Sequence, residues 1–245
     1  AAPASGGHAG ARPSLDSGDA RGRRQELRRT PGFHLHAAED RIDAQGVERL
    51  ERAGVLGPQT LCVHGVHLDD RGIDRLAASG SWLAHCPESN MNNAVGAPLL
   101  KRFARSGVRL ALGTDGFTAH LPREALAAHL LQSHLAQDPR EGWSAVPALL
   151  FEANARLATE SLGIELGRLR PGAAADVVIW DYRPPTPVTV ENLWSHVIFG
   201  LSSTLAAEVF VAGRRVLEEG RLPGRDEAEL ARQCSAAAAR LWERF

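Results

Sequence analysis

The chain lacks an excess of charge of either sign: 28 Lys and Arg stand against 29 Asp and Glu, a net of −1. No basic field is available for nucleic acid, and no polybasic run for a membrane surface. The expected partner is therefore a small molecule, with neither nucleic acid nor membrane. Long apolar runs are also missing. None approaches the roughly 18 residues of a membrane span, and no signal peptide is legible. Cysteine is scarce: Cys62, Cys86 and Cys234 are odd in number, widely spaced and form no CxxC pair. That argues against a disulfide framework and a Cys-based zinc site, and points to the reducing cytoplasm.

What is present is apolar content of 44% over 245 residues, enough for one large core or two modest ones. Residues 1–32 stand apart. Ala, Gly, Ser and Arg dominate them, and Leu15 and Leu27 are the only large aliphatics. Such a segment cannot bury enough surface to offset its ordering entropy and is expected to be disordered. The alternative is that the stretch is not native sequence, but a wrong start or a reading-frame error.

From Phe33 onward the texture changes. Gly54, Gly80 and Gly107 each follow a helical pattern and precede a strand, a repeat of about 26 residues. In the second unit Asp69 or Asp70 caps a helix, Ile73, Leu76 and Ala77 form its buried stripe, and Gly80 ends it. In the third, Pro98 suits a first turn and Leu99, Leu100, Phe103 and Ala104 pack inward. The strands are Phe33–Ala38, Thr60–Val66, Ser81–Cys86 and Val108–Gly113. Short strands alternating with ten-residue helices predict an α/β fold with a parallel sheet over residues 33–160. Two helices are expected at Arg123–Gln137 and Ser144–Thr159. Residues 161–222 depart from this alternation, with a strand at Val177–Trp180, a proline-rich 183–187 connection, and a hairpin of Glu208–Val211 with Arg215–Leu217 around Gly213. Over 223–245, Asp226 with Glu229 resembles a capping box. The stripe Leu230, Cys234, Ala237, Leu241 and Phe245 predicts a helix docked on the body.

Chemistry-bearing residues collect at strand ends. In Phe33-His34-Leu35-His36-Ala37-Ala38-Glu39-Asp40 an imidazole and a carboxylate arrive together where a strand gives way to a loop. Such a pair can hold a metal and move protons above it, or His36 can be a half-buried, hydrogen-bonded strand histidine. His64 closes the second strand, and Asp115 ends the fourth between Gly113 and Gly116. In parallel α/β sheets, chemistry gathers at the carboxyl ends of strands. Of the other histidines, His34 is expected to be packed or hydrogen-bonded and His67 a loop residue. His129 and His134 are expected at the surface or an interface, and His85 is a candidate substrate contact. Cys62 and Cys86 read as small buried apolar residues.

The segments FHLHAAED (33–40), VHGVHL (63–68), HCPESNMNNAVG (85–96), LALGTDG (110–116), LRPGAAADVVIWDY (169–182) and PPTPVTVENLWSHVIFGL (184–201) resemble the amidohydrolase superfamily. The resemblance is to its cytosine/guanine-deaminase and chlorohydrolase branch, and especially to SsnA-type aminohydrolases. It implies a (β/α)8 barrel with a small β-sandwich, of which this chain would supply about strands 5–8, part of the sandwich and a C-terminal helix. It also implies one divalent metal, zinc or alternatively Fe2+ or Mn2+, and a homo-oligomer in the intact family form. Carried over by position, His36 and Asp115 would be metal ligands, and Asp115 would also shuttle protons. Glu39 would be the general acid toward a ring nitrogen, and His64 would contact the attacking oxygen or the leaving group. His85, Ser89 and Asn90 would meet substrate. One departure stands out: the family's first-strand His–x–His pair has no counterpart upstream of His36, so the chain resembles half an enzyme. The expected activity is hydrolysis of a non-peptide C–N bond, deaminating a purine- or pyrimidine-like ring. The rivals are dehalogenation or amide hydrolysis at the same site, and a non-catalytic remnant acting only in association.

Overall fold

Four short strands set the architecture: β1 (His34–Ala37), β2 (Leu61–His64), β3 (Trp82–His85) and β4 (Arg109–Leu112). They lie parallel in the order β1-β2-β3-β4, as the repeat predicts. The computed structural model describes residues 32–244, so the expectations for residues 1–31 and for Phe245 lie outside the described residues. Register places Leu35, Cys62, Leu83 and Leu110 on one face, and His36, Val63, Ala84 and Ala111 on the other. The first face is closed by helices. Cys62 and Leu83 pack there with Val47, Leu68, Ile73, Leu76, Phe103 and Val108.

The helix Asp70–Ser79 shows why these units form. Asp69 accepts a hydrogen bond from the Gly72 amide (2.8 Å), Ile73 and Leu76 are buried, and Gly80 ends the helix at φ 70°. The third unit departs from expectation. Its helix spans Leu100–Arg105, because Leu99 is still extended, and only Leu100 and Phe103 are buried. Six residues present a single i, i+3 pair to the core, and Ala104 is left exposed.

Beyond β4, the helices Leu121–Ala136 and Arg140–Pro147 pack on Leu112 through Ala125, Ala128 and Val146, joined by Leu149 just after the second helix. Ser144–Thr159 is helical as expected, but not α throughout. Pro147 lacks an N–H, and a π-helical turn, Ala148–Ala153, separates it from the helix Asn154–Leu162. His129, expected at the surface or an interface, is 6% exposed, which corrects the surface half of that expectation. Gly142 lets the two helices meet closely, and the His129 ring packs edge-on to Trp143 at 4.5 Å and Phe199 at 5.5 Å. His34 is corrected too. It is exposed, because the sheet face that carries it is open around β1.

The smaller sheet is antiparallel, β5 (Val177–Trp180), β6 (Ala206–Val211) and β7 (Arg214–Leu217). Ala212 and Gly213, at φ 50° and 74°, supply the left-handed pair that a two-residue hairpin turn requires. The final helix, Glu227–Trp242, is capped by Asp226 as expected, but none of its residues is buried. Leu230 and Leu241 are about half exposed, so the predicted docking is not observed among the described residues. Among the described residues no helix is long and apolar enough to cross a membrane.

Candidate active site

The carboxyl ends of β1, β2 and β4 share one backbone feature. Ala38, His64 and Asp115 all have positive φ, at 50°, 75° and 52°. Non-glycine residues seldom adopt this region, and such strain is tolerated where surrounding structure over-determines it, commonly at functional sites. Each of the three redirects a side chain. After Ala38, whose amide donates to Asp43 Oδ2 (2.9 Å), Glu39 folds back over the strand end toward His36. Their closest approach, Glu39 Oε2 to His36 Nδ1, is 3.7 Å. Strict alternation would send His64 to the helix side with Cys62. Its left-handed backbone instead sets the imidazole edge-on to His36, with ring centroids 5.0 Å apart.

His64 is the hub. It is fully buried, its Nδ1 lies 2.9 Å from Asn90 Oδ1, and its Nε2 has no hydrogen-bond partner among the described residues. Glu39 Oε2 is 3.6 Å from that Nε2, and Asp115 Oδ2 is 3.8 Å from it. With the Asn90 carbonyl as acceptor, Nδ1 carries the proton and Nε2 presents its lone pair to the site. Asp115 is held by the Ser89 hydroxyl (2.6 Å to Oδ2) and by the Gly116 amide (2.7 Å to Oδ1). The Ser89 hydrogen bond, seconded by that of Gly116 and by the nearby imidazoles, keeps its carboxyl below the usual range. His85, 1% exposed, has neither ring nitrogen hydrogen-bonded. Burial, seconded by His64, pushes its pKa down to about 4, so it is neutral at pH 7. Burial pushes the Cys86 thiol up to about 12, which leaves it an inert, buried group, as expected.

The structure thus brings His36, Glu39, His64, Asp115, Ser89 and Asn90 together, with His85 beside them. Ser89 and Asn90 hydrogen-bond Asp115 and His64. Asn93 carries no signal of its own in the sequence, although it stands in the Asn-rich segment; its Nδ2 donates to Glu39 Oε1 (3.3 Å). Helix Pro87–Asn92 and its C-terminal cap Asn93 therefore touch Asp115, His64 and Glu39.

Donor chemistry fits a divalent metal. His36, Glu39 and His64 offer two imidazole nitrogens and a carboxylate oxygen within 4.8 Å of one another. That is the His₂-carboxylate set of many zinc sites. Asn90 on the far nitrogen of His64 is the orienting partner such ligands use. Asp115 lies outside that group of three, with both oxygens already hydrogen-bonded.

The chain is similar to several known proteins. A 5'-deoxyadenosine deaminase of Methanothermobacter thermautotrophicus is 33% identical over 223 residues, 85% of this chain and 51% of its own length. A 5-methylthioadenosine/S-adenosylhomocysteine deaminase of Pelotomaculum thermopropionicum is 32% identical, covering 87% of this chain and 52% of its own. The chain spans about half the length of the curated relatives it matches. Among solved structures, a zinc-bound adenosine deaminase from Xanthomonas campestris superposes with a TM-score of 0.71 at 26% identity, over 91% of this chain and 52% of that one. The Amidohydrolase family profile matches residues 32–216. The chain belongs to the amidohydrolase family.

Proposed function

We propose that this site serves metal-dependent deamination of a purine-like ring, with an adenine nucleoside as the substrate class. The observation that carries the reading is the convergence of His36, Glu39 and His64 beside a hydrogen-bonded Asp115 at one end of the sheet. His36 with His64 and one carboxylate would hold a divalent metal. Asp115 is the family-based choice for that carboxylate, and Glu39 the one standing nearest both imidazoles. When bound, such a metal lowers the pKa of water from about 15.7 toward about 7.

The chain's own groups then divide the proton work. Asp115, its carboxyl kept ionised by Ser89, takes one proton of the attacking water as oxygen bonds to the amino-bearing ring carbon. Glu39 delivers its proton to the adjacent ring nitrogen, so the tetrahedral carbon forms without a full charge on the ring. On collapse the new hydroxyl returns a proton to Glu39. Asp115 passes its proton to the amine, and the C–N bond breaks to give the oxo ring and ammonia. His64, its Nδ1 held by Asn90, would turn its Nε2 to the metal, with the Glu39 and Asp115 carboxylates 3.6 and 3.8 Å away. Asn93 orients Glu39 throughout.

We further propose that β1–β4 are strands 5–8 of a (β/α)8 barrel, whose other strands complete the site in the same chain or in a partner. The His36 side chain is 70% exposed, far more open than a water-excluding site requires, and the sheet face that carries it is open around β1. The three free cysteines suit a reducing compartment such as the cytoplasm. The test is ammonia release from adenosine, 5'-deoxyadenosine and methylthioadenosine, with zinc present. It compares the chain alone with the chain supplied with the first barrel half of a deaminase relative. Activity is expected only in the complemented sample. Silence there refutes the deaminase reading, and activity of the chain alone refutes the half-barrel reading.

A further inference from the structure

A buried acid that the proposed chemistry does not use lies behind the site. Glu124, in the first turn of the helix Leu121–Ala136, is fully buried. Its Oε2 accepts the backbone N–H of Glu88 at 3.3 Å, and its Oε1 is buried without a partner among the described residues. Glu88 is the second residue of the helix Pro87–Asn92, and the two residues after it are Ser89 and Asn90. Those two hold Asp115 and His64, and the same short helix ends at Asn93, which holds Glu39. A helix of six residues has little stability of its own. Its first-turn amides need acceptors, and its N-cap, Cys86, makes no side-chain cap hydrogen bond. Glu124 supplies one such acceptor from outside.

The second tether is the Glu88 side chain. Its Oε1 accepts from Arg123 Nε (2.6 Å), while its Oε2 is buried without a partner among the described residues. Glu88 Oε2 and Glu124 Oε1 are thus two buried carboxyl oxygens without a partner among the described residues, one on each side of this contact. Consecutive residues of one helix, Arg123 and Glu124, thus grip the backbone and the side chain of Glu88. The alternative, a misplaced surface acid, does not account for the zero exposure or for the aim at the Glu88 amide.

We propose that Glu124 is a positioning residue. By anchoring the first turn of the helix Pro87–Asn92, it sets where Ser89, Asn90 and Asn93 hold Asp115, His64 and Glu39. This role rests on the deaminase site proposed for those residues, and it names a member of that site's supporting shell. Supporting groups of this kind matter through orientation, and losing one typically weakens a site about 10- to 100-fold.

The test uses the full chain with Glu124→Leu and Glu124→Gln. Gln keeps an acceptor for the Glu88 amide, whereas Leu fills the volume and offers none. The primary readout is the ¹⁵N NMR signature of the His64 ring, which reports the Nδ1 contact to Asn90 without metal or turnover. Zinc affinity of the complemented protein is the second. We expect E124L to shift or broaden the His64 signals and weaken zinc by about 10- to 100-fold, with E124Q close to the parent in both. Unchanged His64 signals in E124L overturn the proposal, as does an E124Q spectrum as altered as that of E124L. A parent protein that binds no zinc, with the His64 response still present, would sink the metal-site reading and leave the positioning role standing.

Discussion

Replacing Glu124 by Gln should remove a pH dependence of stability that its burial imposes. Burial, partly offset by the hydrogen bond from the Glu88 amide and reinforced by the Glu88 carboxylate, raises the Glu124 pKa to about 7 from the ordinary 4.5. A raised folded-state value means that the protonated form is favoured on folding. Its stabilising contribution is fully present below about pH 4.5 and is lost as pH rises through about 7. A difference of about 2.5 units at about 1.36 kcal/mol each gives at most about 3 kcal/mol. Gln is neutral throughout and keeps an acceptor for the Glu88 amide. The E124Q-minus-parent difference in unfolding free energy should therefore climb by about 2 to 3 kcal/mol between pH 4.5 and 8. His85 acts in the opposite sense: its neutral form is favoured on folding, and stability is lost as pH falls from 6.5 toward about 4. It is common to both proteins and cancels in the difference. Urea unfolding at half-unit pH steps measures this, compared by midpoint and slope. Parallel curves for the two proteins across that range would refute the reasoning.

Other outcomes follow from single contacts. In the complemented enzyme, Glu39→Gln should lower turnover by about 10² to 10⁴ while zinc content holds. Asp115→Asn should lower both, and metal analysis beside ammonia release separates the two carboxylates. Gly142→Ala should destabilise by about 1 to 3 kcal/mol, because a Cβ there would lie 2.5 Å from the His129 carbonyl oxygen; thermal unfolding reads it. Asp69→Ala removes the acceptor of the Gly72 amide and should cost about 1 kcal/mol by the same assay.

The four strands were legible because alternation and punctuating glycines both mark them, and Gly80 behaves as its position in the repeat demands. The strand-end residues were legible for the same reason: a residue that closes a parallel strand is placed by topology. What the pattern could not carry is the left-handed backbone at Ala38, His64 and Asp115, since none of these residue types advertises it. Without that turn, alternation assigns His64 to the wrong side of the sheet. Glu124 was hidden because a glutamate in a helical pattern reads as solvated, and only the tertiary approach of Glu88 reveals its burial. The exposed C-terminal helix shows the converse: its apolar stripe predicted a docking that the described residues do not provide.

Everything proposed for the site depends on His36 and His64 holding one metal together. Zinc titration of the chain supplied with the complementary barrel half, beside His36→Ala and His64→Ala, tests this most directly. One zinc per chain, lost in His36→Ala and much weakened in His64→Ala, is the predicted result. Zinc bound equally well by all three proteins, or by none, would contradict it.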